Sequence, residues 1–179
     1  MKKIFCFYFS LIAVLFVWGQ NAEKIDGCGL NNLYRIDSTF YRSEQPNKEE
    51  FQLLYNYGIR EILNLRSFHS DEDLIEGLDM TLHEIPMRAG KINDQKVIDA
   101  LKVIKDRKGT MLVHCKHGSD RTGLMVALYR VIFQNWTKED AITEMTGDKF
   151  GFHSIYTNIV KYVRNIDVAK IRQQLNITK

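Results

Sequence analysis

Residues 110–123 read Thr-Met-Leu-Val-His-Cys-Lys-His-Gly-Ser-Asp-Arg-Thr-Gly, and the order of residue types in this stretch determines what must surround it. The apolar run through Val113 predicts a short buried strand over Thr110–His114 that delivers Cys115 at its end. Five residues, Lys116, His117, Gly118, Ser119 and Asp120, separate that thiol from Arg121. The nearly all-apolar Leu124–Phe133 predicts a buried helix beginning near Thr122. A strand, a loop and a helix N-terminus in that order make an anion cradle, because unpaired loop amides and the helix dipole both favour negative charge. The same field favours a thiolate over a thiol, whose unperturbed pKa is ~8.5. Gly118 lets the loop turn tightly, and the planar fork of Arg121 can hold two oxygens of one phosphate. The Thr122 hydroxyl can hydrogen-bond the sulfur as it leaves. His114 is expected to brace the loop through buried hydrogen bonds rather than to carry protons. Lys116 and His117 either widen the positive field or are solvated loop positions.

Working outward, Leu33–Ile36 and Phe40–Arg42 read as two short strands around the turn Asp37-Ser38-Thr39, and Ser43 to Pro46 breaks the chain. Asn47 and Glu50 form a capping-box pattern ahead of Phe51, Leu53, Leu54 and Tyr57, with Gly58 closing that helix. Ile59–Leu65 predicts a buried strand, 67–79 an acidic short helix or loop, and Met80–Met87 another strand ended at Pro86. Asp94–Lys105 is a helix capped by Asn93; Gly109 resets the chain for the central strand. Downstream, Thr137 with Asp140 starts a helix that Gly147 stops, and Ser154–Leu175 spaces Ile155, Ile159, Val163, Ile166 and Ile171 at helical intervals. Gln20 to Asn32 is a polar, glycine-containing lead-in. The fold class expected is α/β, a central mostly parallel sheet flanked by helices, with the key loop at the carboxyl end of a central strand.

The chain has 179 residues, 45% hydrophobic and 26% charged, with a formal net charge of +3, which suits one globular domain and excludes disordered and collagen-like classes. Lys2 and Lys3 precede an apolar run from Ile4 to Val17, short for a membrane span of ~20 residues, so residues 1–19 are expected to be a cleaved signal peptide and 20–179 a single domain. Export to the periplasm or the extracellular space follows, with an uncleaved N-terminal anchor as the alternative. Without Lys2 and Lys3, 23 basic residues face 22 acidic ones, so no nucleic-acid partner is expected, nor any membrane span after cleavage. Cys28 and Cys115 then remain. Two cysteines make no disulfide framework; they could pair and silence Cys115, but a free Cys28 is the preferred reading.

The run His114-Cys115-Lys116-His117-Gly118-Ser119-Asp120-Arg121-Thr122-Gly123 resembles the H-C-x5-R-[ST]-G signature of the cysteine-dependent protein tyrosine phosphatases, in their dual-specificity-like branch. Weaker likeness, to secreted bacterial members of that branch, extends from Phe40-Tyr41-Arg42-Ser43-x-Gln45-Pro46 through Asn64-Leu65-Arg66 to the C-terminal helices. The resemblance implies a protein tyrosine phosphatase fold and hydrolysis of phosphomonoesters by a tyrosine or dual-specificity phosphatase. It also implies a phosphocysteine intermediate on Cys115, Arg121 as the phosphate clamp, and no metal or cofactor. The implied partner is a phosphotyrosine-containing protein or a small phosphomonoester, met by a monomer. Two alternatives remain open: an inositol polyphosphate or phosphoinositide phosphatase using the same loop, and a non-catalytic phosphoprotein-binding module.

One departure concerns the proton donor that a tyrosyl leaving group, with a conjugate acid of pKa ~10, requires. Many relatives carry an upstream aspartate where this chain reads Met87-Arg88-Ala89-Gly90-Lys91-Ile92-Asn93-Asp94. Two carboxylates compete for the role. Asp94 is also explained as a first-turn helix residue, and Asp120 lies within the loop, as in the C-x-x-G-x-D-R pattern of some secreted bacterial phosphatases and of myotubularins. Asp120 is preferred. Arg42, Arg66 and Arg88 all sit at strand ends and are candidates to line the mouth. His69, His83 and His153 show no partner pattern and are read as structural or surface residues; Phe150, Phe152 and Tyr156 are read as packing. His114 and His117 are not expected to hold a metal, since a thiolate committed to one would not be a nucleophile.

Overall fold

The computed structural model describes residues 21–27 and 29–177. The expected signal segment 1–19 and Cys28 fall outside them. The structure is organised by β6 (Met111–His114), buried at every position and paired in parallel with β3 (Phe40–Ser43) on one side and β4 (Glu61–Asn64) on the other. β5 (Thr81–Glu84) adds in parallel beyond β4, whereas β2 (Tyr34–Arg35) and β1 (Glu23–Lys24) add antiparallel beyond β3. The sheet order is β1-β2-β3-β6-β4-β5. The expected α/β class with a mostly parallel sheet is therefore what forms. The polar lead-in differs from expectation: Glu23 and Lys24 pair with Arg35 and Tyr34 as an edge strand, using backbone bonds that a polar sequence pattern does not advertise.

Alternation along β6 sorts the two faces. Met111 and Val113 face the larger core, built with Leu101 and Ile104 of α2 (Asp94–Asp106) and Leu124 and Leu128 of α3 (Asp120–Phe133). Leu112 faces the smaller core, with Phe51 and Leu54 of α1 (Lys48–Tyr57) and Ile62. His114 therefore points to the α1 side, its ring centroid 6.2 Å from that of Phe51, and Cys115 to the other. The period of 2 decides that the thiol and its neighbouring imidazole lie on opposite faces.

Local chemistry sets the helix ends. Asn47 accepts from the Glu50 amide while the Glu50 carboxylate takes the Asn47 amide, and Gly58 closes α1 at φ 109°; such a cap contributes about 1 kcal/mol. Asn93 caps α2 by accepting from Lys96 N. Thr137 does the same for α4 (Lys138–Thr146) through Asp140 N. Two features differ from the sequence reading and a third settles an alternative it left open. α3 begins at Asp120 rather than near Thr122, so Arg121 sits in its first turn, where the apolar pattern that marks the buried part has not yet started. Residues 67–79 form turns and no helix. The C-terminal helical stretch is two helices, α5 (Thr157–Asn165) and α6 (Val168–Gln174), because Asp167 takes an extended conformation and caps the second through Lys170 N. No helix among the described residues is long and apolar enough to cross a membrane.

Candidate active site

Cys115 ends the central strand, only 2% exposed. Beyond it, three consecutive loop carbonyls are each taken by a donor from the surrounding wall. Gln45 N donates to Lys116 O (3.3 Å), Asn32 Nδ2 to His117 O (2.8 Å) and Arg42 Nη2 to Gly118 O. Because a trans peptide sets its N–H opposite its C=O, amides that follow these carbonyls turn to the other side of the loop. The N–H groups of His117, Gly118 and Ser119 have no acceptor among the described residues. Gly118, at φ 68°, is required on two counts: a Cβ there would lie 2.6 Å from Ser43 C, Ser43 O and Glu44 N. Its role is thus to let the loop lie against the end of β3, more than to approach an anion.

Arg42 is wholly buried beneath the loop rather than lining the mouth, its guanidinium 3.8 Å from the Phe150 ring centroid. Burial pulls its pKa down to about 10, a fall limited by the charges of Glu144 and Cys115. It stays cationic at neutral pH, so a fixed positive charge lies under the loop that follows Cys115. The Thr122 hydroxyl is buried with no partner among the described residues, which leaves it available to a sulfur.

His114 is bonded to Asp71, a residue of the acidic stretch 67–79 that the sequence reading describes as a short helix or loop. Asp71, fully buried, meets His114 Nε2 at 2.8 Å and accepts from Gln45 Nε2 at 2.7 Å; His69 Nε2 is 3.4 Å away. Gln45 in turn accepts from Arg66 Nη1 at 3.0 Å. Burial by itself would raise the Asp71 pKa, but hydrogen bonds from His114 and Gln45 and the nearby imidazoles bring it below its ordinary 3.8. An ionised Asp71 only accepts, so His114 donates through Nε2. A lowered folded value means that the stability Asp71 contributes is complete above its unfolded pKa and is lost as pH falls through the folded one. Urea midpoints should therefore fall more steeply between about pH 5 and pH 2 in the wild type than in Asp71→Asn; parallel curves across that window would contradict the assignment.

Arg121 projects between the ends of β4 and β5, with Nη1 3.4 Å from both Leu65 O and Met87 O, long contacts that a bound anion can replace. Arg66 is half-buried and committed to Gln45; Arg88 is exposed in a bridge with Lys91. Asp94 sits in the first turn of α2, and its hydrogen bond to Tyr162 helps, after burial, to push that phenol upward. Tyr162 belongs to α5. Asp120 is 7% exposed and meets His153 three ways: Oδ1 accepts from His153 N at 3.0 Å, and Nδ1 lies 3.1 and 2.9 Å from Oδ1 and Oδ2. The three histidines read as partnerless all have carboxylate neighbours, since His83 Nε2 lies 3.0 Å from Glu61. Phe150 is fully buried core, as expected, and Phe152 and Tyr156 pack against it.

Four residues that position the loop, Asn32, Gln45, Asp71 and His153, were missed. Only Gln45, inside a run already singled out, carried a sequence signal. The others lie 83, 44 and 38 positions from Cys115 in the chain, and none belongs to a periodic pattern.

Residues 23–162 match a family model described as "DSP-PTPase phosphatase fused to NAD+ Kinase". The dual specificity protein phosphatase TpbA of Pseudomonas aeruginosa is 34% identical over 145 residues, covering 79% of this chain; the match spans 65% of the TpbA sequence. The inositol diphosphatase DSP3 of Arabidopsis thaliana is 31% identical over 158 residues, 81% of this chain and 74% of its own. The crystal structure of TpbA superposes with a TM-score of 0.77 at 31% identity, covering 87% of this chain and 96% of that one. A cysteine-to-serine form of TpbA in complex with pTyr gives the same TM-score at 30% identity, covering 88% and 96%.

Proposed function

We propose, for a chain that belongs to the DSP-PTPase phosphatase family, that it hydrolyses phosphotyrosine-type phosphomonoesters through a phosphocysteine intermediate on Cys115. The observation that carries this reading is the outward locking of the Lys116, His117 and Gly118 carbonyls, which leaves loop amides free on the side of the thiol. The Cys115 sulfur attacks phosphorus while those amides and the Arg121 fork hold the equatorial oxygens, whose charge must be stabilised in the transition state. Thr122 hydrogen-bonds the sulfur when water displaces it. The TpbA complex with pTyr supports an aryl phosphate as substrate. Rapid denaturation during turnover of an aryl phosphate should trap one phosphate per chain, located at Cys115 by mass spectrometry; an unmodified Cys115 under those conditions would contradict the covalent route.

Leaving-group protonation is assigned to the side of the loop that holds Asp120, not to Asp94. On an aryl phosphate with a poor leaving group, Asp120→Asn should lower kcat by about 10²-fold, the lower end of what general acids contribute. Asp94→Asn should leave it within about threefold, since only its contact with Tyr162 is lost. Near-wild-type turnover in Asp120→Asn would sink this assignment.

A second reading, hydrolysis of inositol polyphosphates, is favoured by the exposure of Lys116 and His117 on the loop and by the likeness to a protein named as an inositol diphosphatase. Side-by-side turnover of phosphotyrosyl peptides and inositol phosphates decides between them, and a strong preference for the latter would overturn the first reading. Intact Cys115, Asp120 and Arg121 argue against a purely binding module. Lys2, Lys3 and the apolar residues 4–17 support action outside the cytoplasm.

A further inference from the structure

The segment between α4 and α5 is held to the catalytic loop at several independent points. Asn32, itself at φ 55°, bridges the two by donating to His117 O at 2.8 Å and Phe150 O at 3.2 Å. Arg42 joins them again, donating to Gly118 O and lying over the Phe150 ring. His153 N and Nδ1 meet the Asp120 carboxylate. The consequence is that a half-exposed imidazole is delivered to the loop, its ring centroid 5.5 Å from that of His117.

Asp120 is poorly arranged to give up a proton itself. Its Oδ1 already accepts from His153 N, and both of its oxygens lie within hydrogen-bond distance of His153 Nδ1. The imidazole is better arranged. Its Nδ1 faces the carboxylate, which orients the ring, while Nε2 makes no hydrogen bond among the described residues. Imidazole is also the side chain whose proton exchanges most readily near neutrality.

We propose that His153 is the general acid of the first step and the general base of the second, with Asp120 as the residue that orients it. The inference rests on the phosphocysteine reading above. In the first step the Cys115 sulfur forms the S–P bond and the P–O bond to the leaving group breaks. The electron pair stays on the departing oxygen, which takes the proton from Nε2 of the imidazolium. In the second step neutral Nε2 takes a proton from water as its oxygen bonds phosphorus; the S–P bond breaks, the thiolate returns, and the imidazolium is restored. The titratable groups facing the ring are Asp120 from α3, His117 from the loop and Tyr156 ahead of α5, whose ring centroid is 6.3 Å away.

The test is the leaving-group and pH dependence of kcat in His153→Gln and His153→Ala, with both folds checked by thermal melting. Each variant keeps the backbone N–H to Asp120, so the loop retains that anchor. Expected is a loss of about 10²-fold or more on a poorly departing aryl phosphate, little loss on an activated one, and disappearance of the alkaline limb of kcat. An equal loss on both substrates, or a change confined to KM, would overturn the proposal. So would full activity in His153→Gln alongside a defect in Asp120→Asn, because the carboxyl itself would then be the acid. In all these outcomes trapping of phosphate on Cys115 would persist, whereas its absence would overturn the covalent reading instead.

Discussion

Changing Cys115 to serine is expected to lower the turnover of aryl phosphates by about 10⁴-fold or more, with substrate binding retained. The sulfur sits at the end of the central strand, almost without exposure, close to the free loop amides, the first turn of α3 and the buried Arg42. A serine hydroxyl in the same place stays protonated, so the positive surroundings have nothing to stabilise until the anion itself arrives. Binding survives because the amides and Arg121 contact the phosphate, not the sulfur. The fold should survive as well, since Arg42 keeps the charge of Glu144, the largest of the effects that oppose its desolvation. Phosphate release measures the first effect, and titration calorimetry of the variant with a phosphotyrosyl peptide measures the second. Hydrolysis retained at a tenth of the wild-type rate would remove Cys115 from the chemistry.

Gly118→Ala should be the most damaging change in the loop that touches no reacting atom. Its φ of 68° costs an L-residue about 1 kcal/mol. The larger cost comes from contact, because an added Cβ would lie 2.6 Å from three backbone atoms of Ser43 and Glu44. Those atoms lie at the end of β3, which is paired to β6 with Ser43 opposite His114, so they cannot move without moving the strand that leads to Cys115. Overpacking of that kind costs about 1–3 kcal/mol. A total loss of about 2–4 kcal/mol in urea unfolding is expected, together with a fall in kcat of about 10²-fold, as a displacement near 1 Å of the loop would cause. Gly118→Asn separates the two causes: asparagine tolerates positive φ but brings the same Cβ. Damage equal to that of alanine is expected, and a markedly milder asparagine variant would mean that conformation, not contact, is what the glycine serves.

The parts of the site that could be read in the chain were those whose function requires adjacency. A strand end, a loop with free amides and a helix N-terminus have to follow one another, so residues 114–123 carry the thiol, the amides and Arg121 in that order. The caps at Asn47, Asn93 and Thr137 were legible for the same reason, since a cap acts over three residues. Arg42 shows the opposite case. Sequence reading placed it at a strand end near the mouth, and the direction of its side chain, down beneath the loop, depended on which face of β3 packs against α3. Asp71 lay among Glu72, Asp73 and Glu76, which are exposed or only solvated, and nothing local marked the one carboxylate that turns inward to a histidine 43 residues away.

By itself, then, the amino-acid sequence determined the strand, loop and helix around Cys115, the caps at Asn47, Asn93 and Thr137, and the absence of an upstream aspartate in the usual place. Tertiary structure alone decided how that loop is held and what answers the missing acid. Asn32, Gln45 and Arg42 lock its carbonyls outward, Asp71 fixes His114, and His153 meets Asp120 from a segment 33 residues further on. The physical reason is range. Backbone geometry, capping and periodicity act over a few residues and leave their mark in sequence order, whereas hydrogen bonds between buried side chains act over about 3 Å in space and leave none.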